Sequence, residues 1–273
     1  MLQDSGLFHF VDETQNYALT FVYAQPLIRD LALRQGMSAP AFRILRESLL
    51  GFVPFISTMK EGETRGFYID NTDPMFFLKL EMSTEGFCRY VIHPQDIAED
   101  VAQFKGVGRM SVVGPGQTEP YTSIVQLDGV RVLEIFDRFL EVSDQKDAKI
   151  LISSASDHSL FVHRLPSARH PNQPSLDEYL LKHQLALFQL IDQDYQSVEE
   201  IVQGFTKVMT TILLMRRPLA FRCSCSYQNM LHHVALLASQ DPELFGEETV
   251  LDLKCQYCDQ AYQVARGDLP TIH

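Results

Sequence analysis

The sequence predicts an α+β protein: a mixed α/β core domain over 1–165, a helical linker over 166–220 and a small C-terminal module over 221–273. Three observations carry that reading. Short runs rich in aromatic and β-branched residues, bounded by turn formers, alternate with helical periods before residue 165. After a composition shift at Leu165, the stretch Pro166-Ser167-Ala168-Arg169-His170-Pro171-Asn172-Gln173-Pro174 can continue neither helix nor strand and reads as a boundary. Four of the five cysteines, Cys223, Cys225, Cys255 and Cys258, fall in two close pairs near the C-terminus.

The elements follow in order. A first helix is predicted over 24–35, stopped by Gly36. A second starts near Pro40 and carries Phe42, Leu45, Leu49, Phe52 and Ile56 at helical spacing, with Pro54 shortening its end. Strands are predicted over 66–69, 75–81, 87–92, 109–113 and 121–127, separated by turn formers such as Asn71-Thr72-Asp73-Pro74 and Gly114-Pro115-Gly116. Helical period returns over 129–142, with Val132, Ile135, Phe136 and Phe139 on one face. Two more strands, 148–153 and 159–164, flank the turn Ser156-Asp157-His158. Beyond the boundary the pattern reads as wholly helical. Ser175 with Glu178 forms a capping box ahead of Leu176, Tyr179, Leu180, Leu187, Leu190 and Ile191. Ser197 with Glu200 forms a second, ahead of Ile201, Val202, Phe205, Val208, Met209, Ile212 and Leu213, until Pro218 ends the segment.

Composition narrows the function. The chain has 273 residues, 45% hydrophobic and 21% charged, enough to bury a sizeable core. A net charge of −12 argues against a nucleic-acid partner, since phosphate contacts need clustered Lys and Arg. Met1-Leu2-Gln3-Asp4 has neither a basic nor an apolar leader segment, and the longest apolar stretch, 49–59, is too short for a bilayer and contains Pro54. The expectation is a cytoplasmic protein without a membrane partner. In that reducing compartment, paired cysteines serve as metal ligands or redox sensors rather than structural disulfides.

The cysteine spacing is the strongest chemical signal. Cys223-Ser224-Cys225 and Cys255-Gln256-Tyr257-Cys258 each supply two sulfurs from one turn, and the chain between them folds back to close a tetrahedral thiolate cage. One Zn²⁺ per chain is expected. Four thiolates leave no open coordination position, so the site suits a structural or redox role and the chain is not expected to be an enzyme. The pair Cys223/Cys225 is also close enough to oxidise to itself. A zinc-ribbon nucleic-acid binder is weaker, because Arg222, Lys254 and Arg266 face Asp241, Glu243, Glu247, Glu248, Asp252, Asp259 and Asp268. A thioredoxin-like C-x-x-C is weaker still, because 251–254 and 261–264 read as two strands of a knuckle hairpin around the motif. Cys88 reads as a small buried side chain. His232 and His233 sit on a predicted helix but meet a shell already complete. His158 and His163 have no acid or nucleophile near in sequence, and Gly106-Val107-Gly108 lacks a phosphate-loop pattern.

Phe221-Arg222-Cys223-Ser224-Cys225-Ser226, the acidic loop and Leu253-Lys254-Cys255-Gln256-Tyr257-Cys258-Asp259-Gln260-Ala261-Tyr262 closely resemble the zinc module of the redox-regulated heat-shock chaperones known as 33 kDa chaperonins. The resemblance extends over most of the chain. It takes in Gly106-x-Gly108 with Met110 and Val112, Pro120-Tyr121 with Ile124-Val125 and Leu127, Gly129, Ser143-Asp144-Gln145 and Leu165-Pro166-Ser167-Ala168. It implies an ATP-independent holdase that binds unfolding client proteins under oxidative stress. It also implies zinc held in the reduced state and two disulfides on oxidation, Cys223–Cys225 and Cys255–Cys258. A homodimer in the activated state is left open, as is a constitutive zinc-stabilised binding protein that never switches. Departures are visible as well. Tyr227-Gln228-Asn229 stands where relatives often carry basic residues, a glycine pair between the last two core strands is replaced around Ser156-Asp157-His158, and the linker is unusually apolar.

Overall fold

Asp12 organises the first hairpin, one that strand patterning alone does not announce. Strands β1 (Ser5–Asp12) and β2 (Tyr17–Tyr23) pair antiparallel. The Asp12 carboxylate accepts from the backbone N–H of Thr14 and Gln15 at 3.0 Å each, and Asn16 takes a left-handed φ of 60°. The protein is described by a computed structural model over residues 2–34, 36–117, 119–144, 146–166 and 173–270. The chain divides into two compact units, Met1–Phe221 and Arg222–His273.

In the first unit α1 (Gln25–Arg34) and α2 (Ala39–Phe52) match the predicted helices. Ser38 caps α2 by accepting from the Ala41 N–H, and a 3₁₀ turn, Val53–Thr58, takes over where Pro54 ends the α-helical ladder. Five antiparallel strands follow: β3 (Thr64–Thr72), β4 (Met75–Ser83), β5 (Phe87–His93), β6 (Phe104–Val113) and β7 (Tyr121–Val130). Then come α3 (Val132–Phe139), β8 (Ala148–Ile152) and β9 (His158–Arg164). Gly51 on α2 lets α3 approach closely, since a Cβ there would lie 2.3 Å from the Phe136 ring. With a tenth strand, β10 (Ile212–Phe221), the strands join in one ten-stranded sheet ordered β7-β6-β3-β4-β5-β10-β1-β2-β9-β8. One core cluster fills its inner face with α1, α2 and α3, including Leu7, Val22, Leu45, Leu49, Phe52, Phe67 and Phe136.

The linker brings the main correction. Its two helices, α4 (Leu176–Asp192) and α5 (Val198–Val208), form behind the predicted caps, Ser175 and Ser197. The wholly helical reading fails after them, because Ile212–Phe221 is strand β10. Its register on β1 runs from Ser5↔Leu219 to Val11↔Ile212, and its last two residues pair parallel to Phe87 and Cys88 of β5. Ile212-Leu213-Leu214-Met215 prolongs the apolar pattern of α5, but Thr210, at φ 54°, turns the chain out of the helix into the slot beside β1. Gly86, at φ 90°, clears that slot; a Cβ there would lie 1.9 Å from the Pro218 carbonyl oxygen.

The helices α4 and α5 cover the outer face of β1, β2 and β9. Leu176, Tyr179, Leu187, Leu190, Ile191, Ile201 and Phe205 pack there on Phe8, Phe10, Leu19, Phe21, Leu160 and Val162. With both faces covered, β2 is buried at every position. Polar contacts fasten α4 at each end. Tyr179 Oη donates to the Asp12 carboxylate at 3.2 Å while its ring stacks on Tyr17 at 4.0 Å. At the other end the His158 imidazole Nδ1–H donates to the Ile191 carbonyl at 3.0 Å, and Ser153 Oγ donates to Asp192 at 2.6 Å. The boundary read at 166–174 falls largely on 167–172, outside the described residues.

In the second unit α6 (Tyr227–Gln240) precedes a hairpin of β11 (Val250–Lys254) and β12 (Ala261–Ala265), as the knuckle reading expects. Its apolar cluster is centred on Val234, Phe245 and Val264, with half-buried leucines such as Leu231 and Leu251 packed around them.

Candidate metal centre

The C-x-C pair lies in the turn that leads into α6. Ser226 caps that helix by accepting from the Asn229 N–H at 3.2 Å, and the Asn229 side-chain amide donates to the Ser224 carbonyl at 3.0 Å. These bonds fix the backbone between Cys223 and Cys225. The C-x-x-C pair sits at the tip of the β11–β12 hairpin. There the Cys255 N–H donates to the Gln260 carbonyl and the Asp259 N–H to the Cys255 carbonyl, each at 2.9 Å. Asp259 closes the turn at φ 60°, a conformation that its short polar side chain tolerates.

Folding brings the four predicted sulfurs within 4.8 Å of one another. Cys223 Sγ lies 3.6 Å from Cys255 Sγ, and Cys225 Sγ 3.3 Å from Cys258 Sγ. All four are free thiols. A tetrahedral Zn²⁺ with bonds of about 2.3 Å needs sulfurs about 3.8 Å apart; the 3.6 and 3.3 Å spacings fall just short of that edge, and no pair in the cluster exceeds 4.8 Å. An all-sulfur donor set suits a soft or borderline ion rather than Ca²⁺ or Mg²⁺. The cluster can therefore hold a metal ion of that class.

The sulfurs are not equivalent. Burial pushes the Cys258 thiol up to about 12, and burial also raises Cys223. Cys225 is drawn down to about 7, chiefly by the Tyr262 hydroxyl, whose Oη lies 3.1 Å from Cys225 Sγ. Tyr262 itself is raised to about 12 by the same bond, so it keeps its proton and donates. This residue is the contact that motif reading missed. The signal available was its place four residues beyond Cys258, on the inward-facing alternation of β12 shared with Val264.

Other candidates fall outside the cluster. His232 and His233 are exposed on α6. Cys88 is buried on β5 and its thiol is pushed up to about 12 by burial alone, which fits a small core side chain. His158 is buried against Phe21 and Tyr23. His163 stacks between Phe161 and His9.

Comparison with known proteins agrees with this architecture. A family profile described as Hsp33 protein matches residues 5–265. A 33 kDa chaperonin of Synechococcus elongatus is 26% identical over 272 residues, covering 92% of this chain and 91% of that protein. A 33 kDa chaperonin of Carboxydothermus hydrogenoformans is 25% identical over 261 residues, covering 89% of each. The crystal structure of the 33 kDa chaperonin (heat shock protein 33 homolog) from Thermotoga maritima superposes with a TM-score of 0.74 at 15% identity, over 97% of this chain and 96% of that one. At that identity the likeness speaks for the fold. With a profile match running from β1 through β12 and a four-sulfur cluster built by the same segments, the chain belongs to the Hsp33 family.

Proposed function

We propose that this chain is a redox-regulated, ATP-independent holdase with Cys223, Cys225, Cys255 and Cys258 as its sensor. The observation that carries the proposal is four free, mutually close sulfurs in a unit whose apolar cluster, among the described residues, is built on just Val234, Phe245 and Val264. A unit that small seldom folds on its core alone. Zn²⁺ bound by the four thiolates supplies folding free energy, on the order of 10–16 kcal/mol in small zinc units.

The chemistry at the cysteines is oxidation of thiolate pairs. One thiolate attacks a peroxide oxygen, the O–O bond breaks and a sulfenic acid forms. Its neighbour attacks that sulfur and displaces hydroxide. In sum, two thiolates, one hydrogen peroxide and two protons give one disulfide and two waters. Pairing Cys223 with Cys225 and Cys255 with Cys258 leaves no thiolate to hold the metal, and the 221–273 module loses its fold. Within the 166–220 linker, α4 and α5 then supply the apolar surface for unfolding clients. The 1–165 core, completed by β10, remains the scaffold.

The module's seven carboxylates against three cations favour proteins over nucleic acids as partners. Among the described residues no helix is long and apolar enough to cross a membrane. The reading places the protein in the cytoplasm, where thiols stay reduced until stress. The test measures bound zinc and suppression of a client's aggregation before and after peroxide. One zinc per reduced chain, lost as holding appears and regained with dithiothreitol plus zinc, is the expected result. Oxidation that only aggregates the protein itself, or full holding in the zinc-bound state, would sink the switch.

A further inference from the structure

Cys225 and Tyr262 come from the two halves of the cluster. Cys225 belongs to the turn before α6, whereas Tyr262 stands on β12, opposite Leu253 of β11. The 3.1 Å hydrogen bond between them is thus a strap from the C-x-x-C hairpin to the C-x-C turn. The uncharged residues that follow the C-x-C pair direct their polar groups elsewhere. Tyr227 Oη donates to Asp268 at 2.8 Å, and the Asn229 amide serves the Ser224 carbonyl. On the hairpin side, Lys254 pairs with Asp259 at 3.3 Å.

We propose that Tyr262 is a positioning residue of the switch: its hydroxyl preorganises Cys225 toward the metal and occupies a sulfur lone pair that would otherwise attack oxidant. This rests on the metal-bound sensor proposed above and names what sets its threshold. Outer contacts of this kind orient ligands and tune their basicity, and losing one commonly weakens metal binding about 10-fold to 100-fold. The step that Tyr262 slows is attack of the Cys225 thiolate on a hydroperoxide, ROOH. An S–O bond forms, the O–O bond breaks, and the departing RO⁻ takes a proton from water. Sulfur loses two electrons and the peroxide gains them, leaving Cys225 as the sulfenic acid.

The test compares the full-length wild type, Tyr262→Phe and Tyr227→Phe, the last removing a hydroxyl from the same unit but not from the cluster. Chelator competition should show Tyr262→Phe binding zinc about tenfold more weakly, with Tyr227→Phe unchanged. In the Co²⁺-loaded proteins the sulfur-to-metal charge-transfer band should shift in Tyr262→Phe alone, while the d–d bands that report tetrahedral geometry stay in place. Zinc release by tert-butyl hydroperoxide should be faster in Tyr262→Phe. An unshifted band with unchanged zinc affinity overturns the assignment to Tyr262 and leaves the sensor standing. Equal weakening in both variants overturns it too, as a general loss of fold. A wild type that binds no zinc overturns both this inference and the reading beneath it.

Discussion

His163 shows what burial of a single titratable ring costs. It stacks on Phe161 at 4.9 Å and its Nδ1 finds no hydrogen-bond partner, so the charged form is penalised. Burial, then the charges of Lys146 and His9, lower its pKa from 6.5 to about 3. The unfolded chain takes up a proton near pH 6.5 and the native ring does not, so stability falls as pH drops below 6.5 and keeps falling toward 3. At pH 5 the loss from this residue is about 2 kcal/mol. Burial also lowers His158 and His9, and both contributions have the same sign. Urea unfolding of the first unit should show that loss between pH 7.5 and pH 5, with a flatter profile in His163→Gln; equal profiles would refute the assignment. Thr210 is a second residue with a readable cost. It is exposed, β-branched and held at φ 54°. A left-handed conformation costs such a residue about 1–2 kcal/mol, and part of that returns with glycine after its greater chain entropy is counted. Thr210→Gly should raise unfolding stability by about 0.5–1 kcal/mol, and a lower midpoint would contradict the strain.

At the scale of elements, α4 is apolar on two sides. Its inner side packs on the sheet through Tyr179, Leu187, Leu190 and Ile191. Its outer side leaves Leu181 75% and Leu185 80% exposed, with Phe188 also exposed in the same row. Inner positions each contribute about 1.5–3 kcal/mol of burial, whereas the outer ones contribute little to docking and, on the function proposed above, would add to the holding surface. Leu181→Ser with Leu185→Ser should leave the melting temperature nearly unchanged and reduce suppression of client aggregation by the oxidised protein. Unchanged holding would show that clients use another surface. The helix starts were legible because Ser175–Glu178 and Ser197–Glu200 are local signals, realised in the backbone as caps. The hairpin around Cys255 and Cys258 was legible for the same reason. Strand β10 was not: its partner β1 lies some two hundred residues earlier in sequence, and only that pairing separates Ile212–Phe221 from a continuation of α5. Tyr17–Tyr23 gives no alternation to read, because a strand buried on both faces loses the polar alternation that marks a half-exposed one. At the site, all four sulfurs were readable from spacing, whereas the Tyr262 contact depends on β-hairpin register.

Across the whole molecule, the four-cysteine cluster and the large core are separable. No cluster cysteine belongs to the first unit, whose core runs through Leu45, Phe52, Phe67, Phe136 and Phe161. Stripping the metal or oxidising the four thiols should therefore abolish amide protection over 222–270, extend to 176–208 under heat, and spare β1 through β9. Hydrogen exchange on reduced and peroxide-treated protein checks this by region. Uniform loss across α2 and α3, or intact protection over 222–270 after complete oxidation, would rule out a local switch. The position of β10 has a further consequence for recovery. The sheet holds the chain on both sides of α4 and α5, at β9 before them and β10 after them, so a released α4–α5 segment would remain a tethered loop rather than a free tail. Its return to the sheet is a unimolecular event whose rate is independent of protein concentration, because the length of the loop fixes its effective concentration near the docking face. On the switch proposed above, a bound client would compete with that recapture at one constant local concentration, so reduction would hand the client off even when the chaperone is scarce.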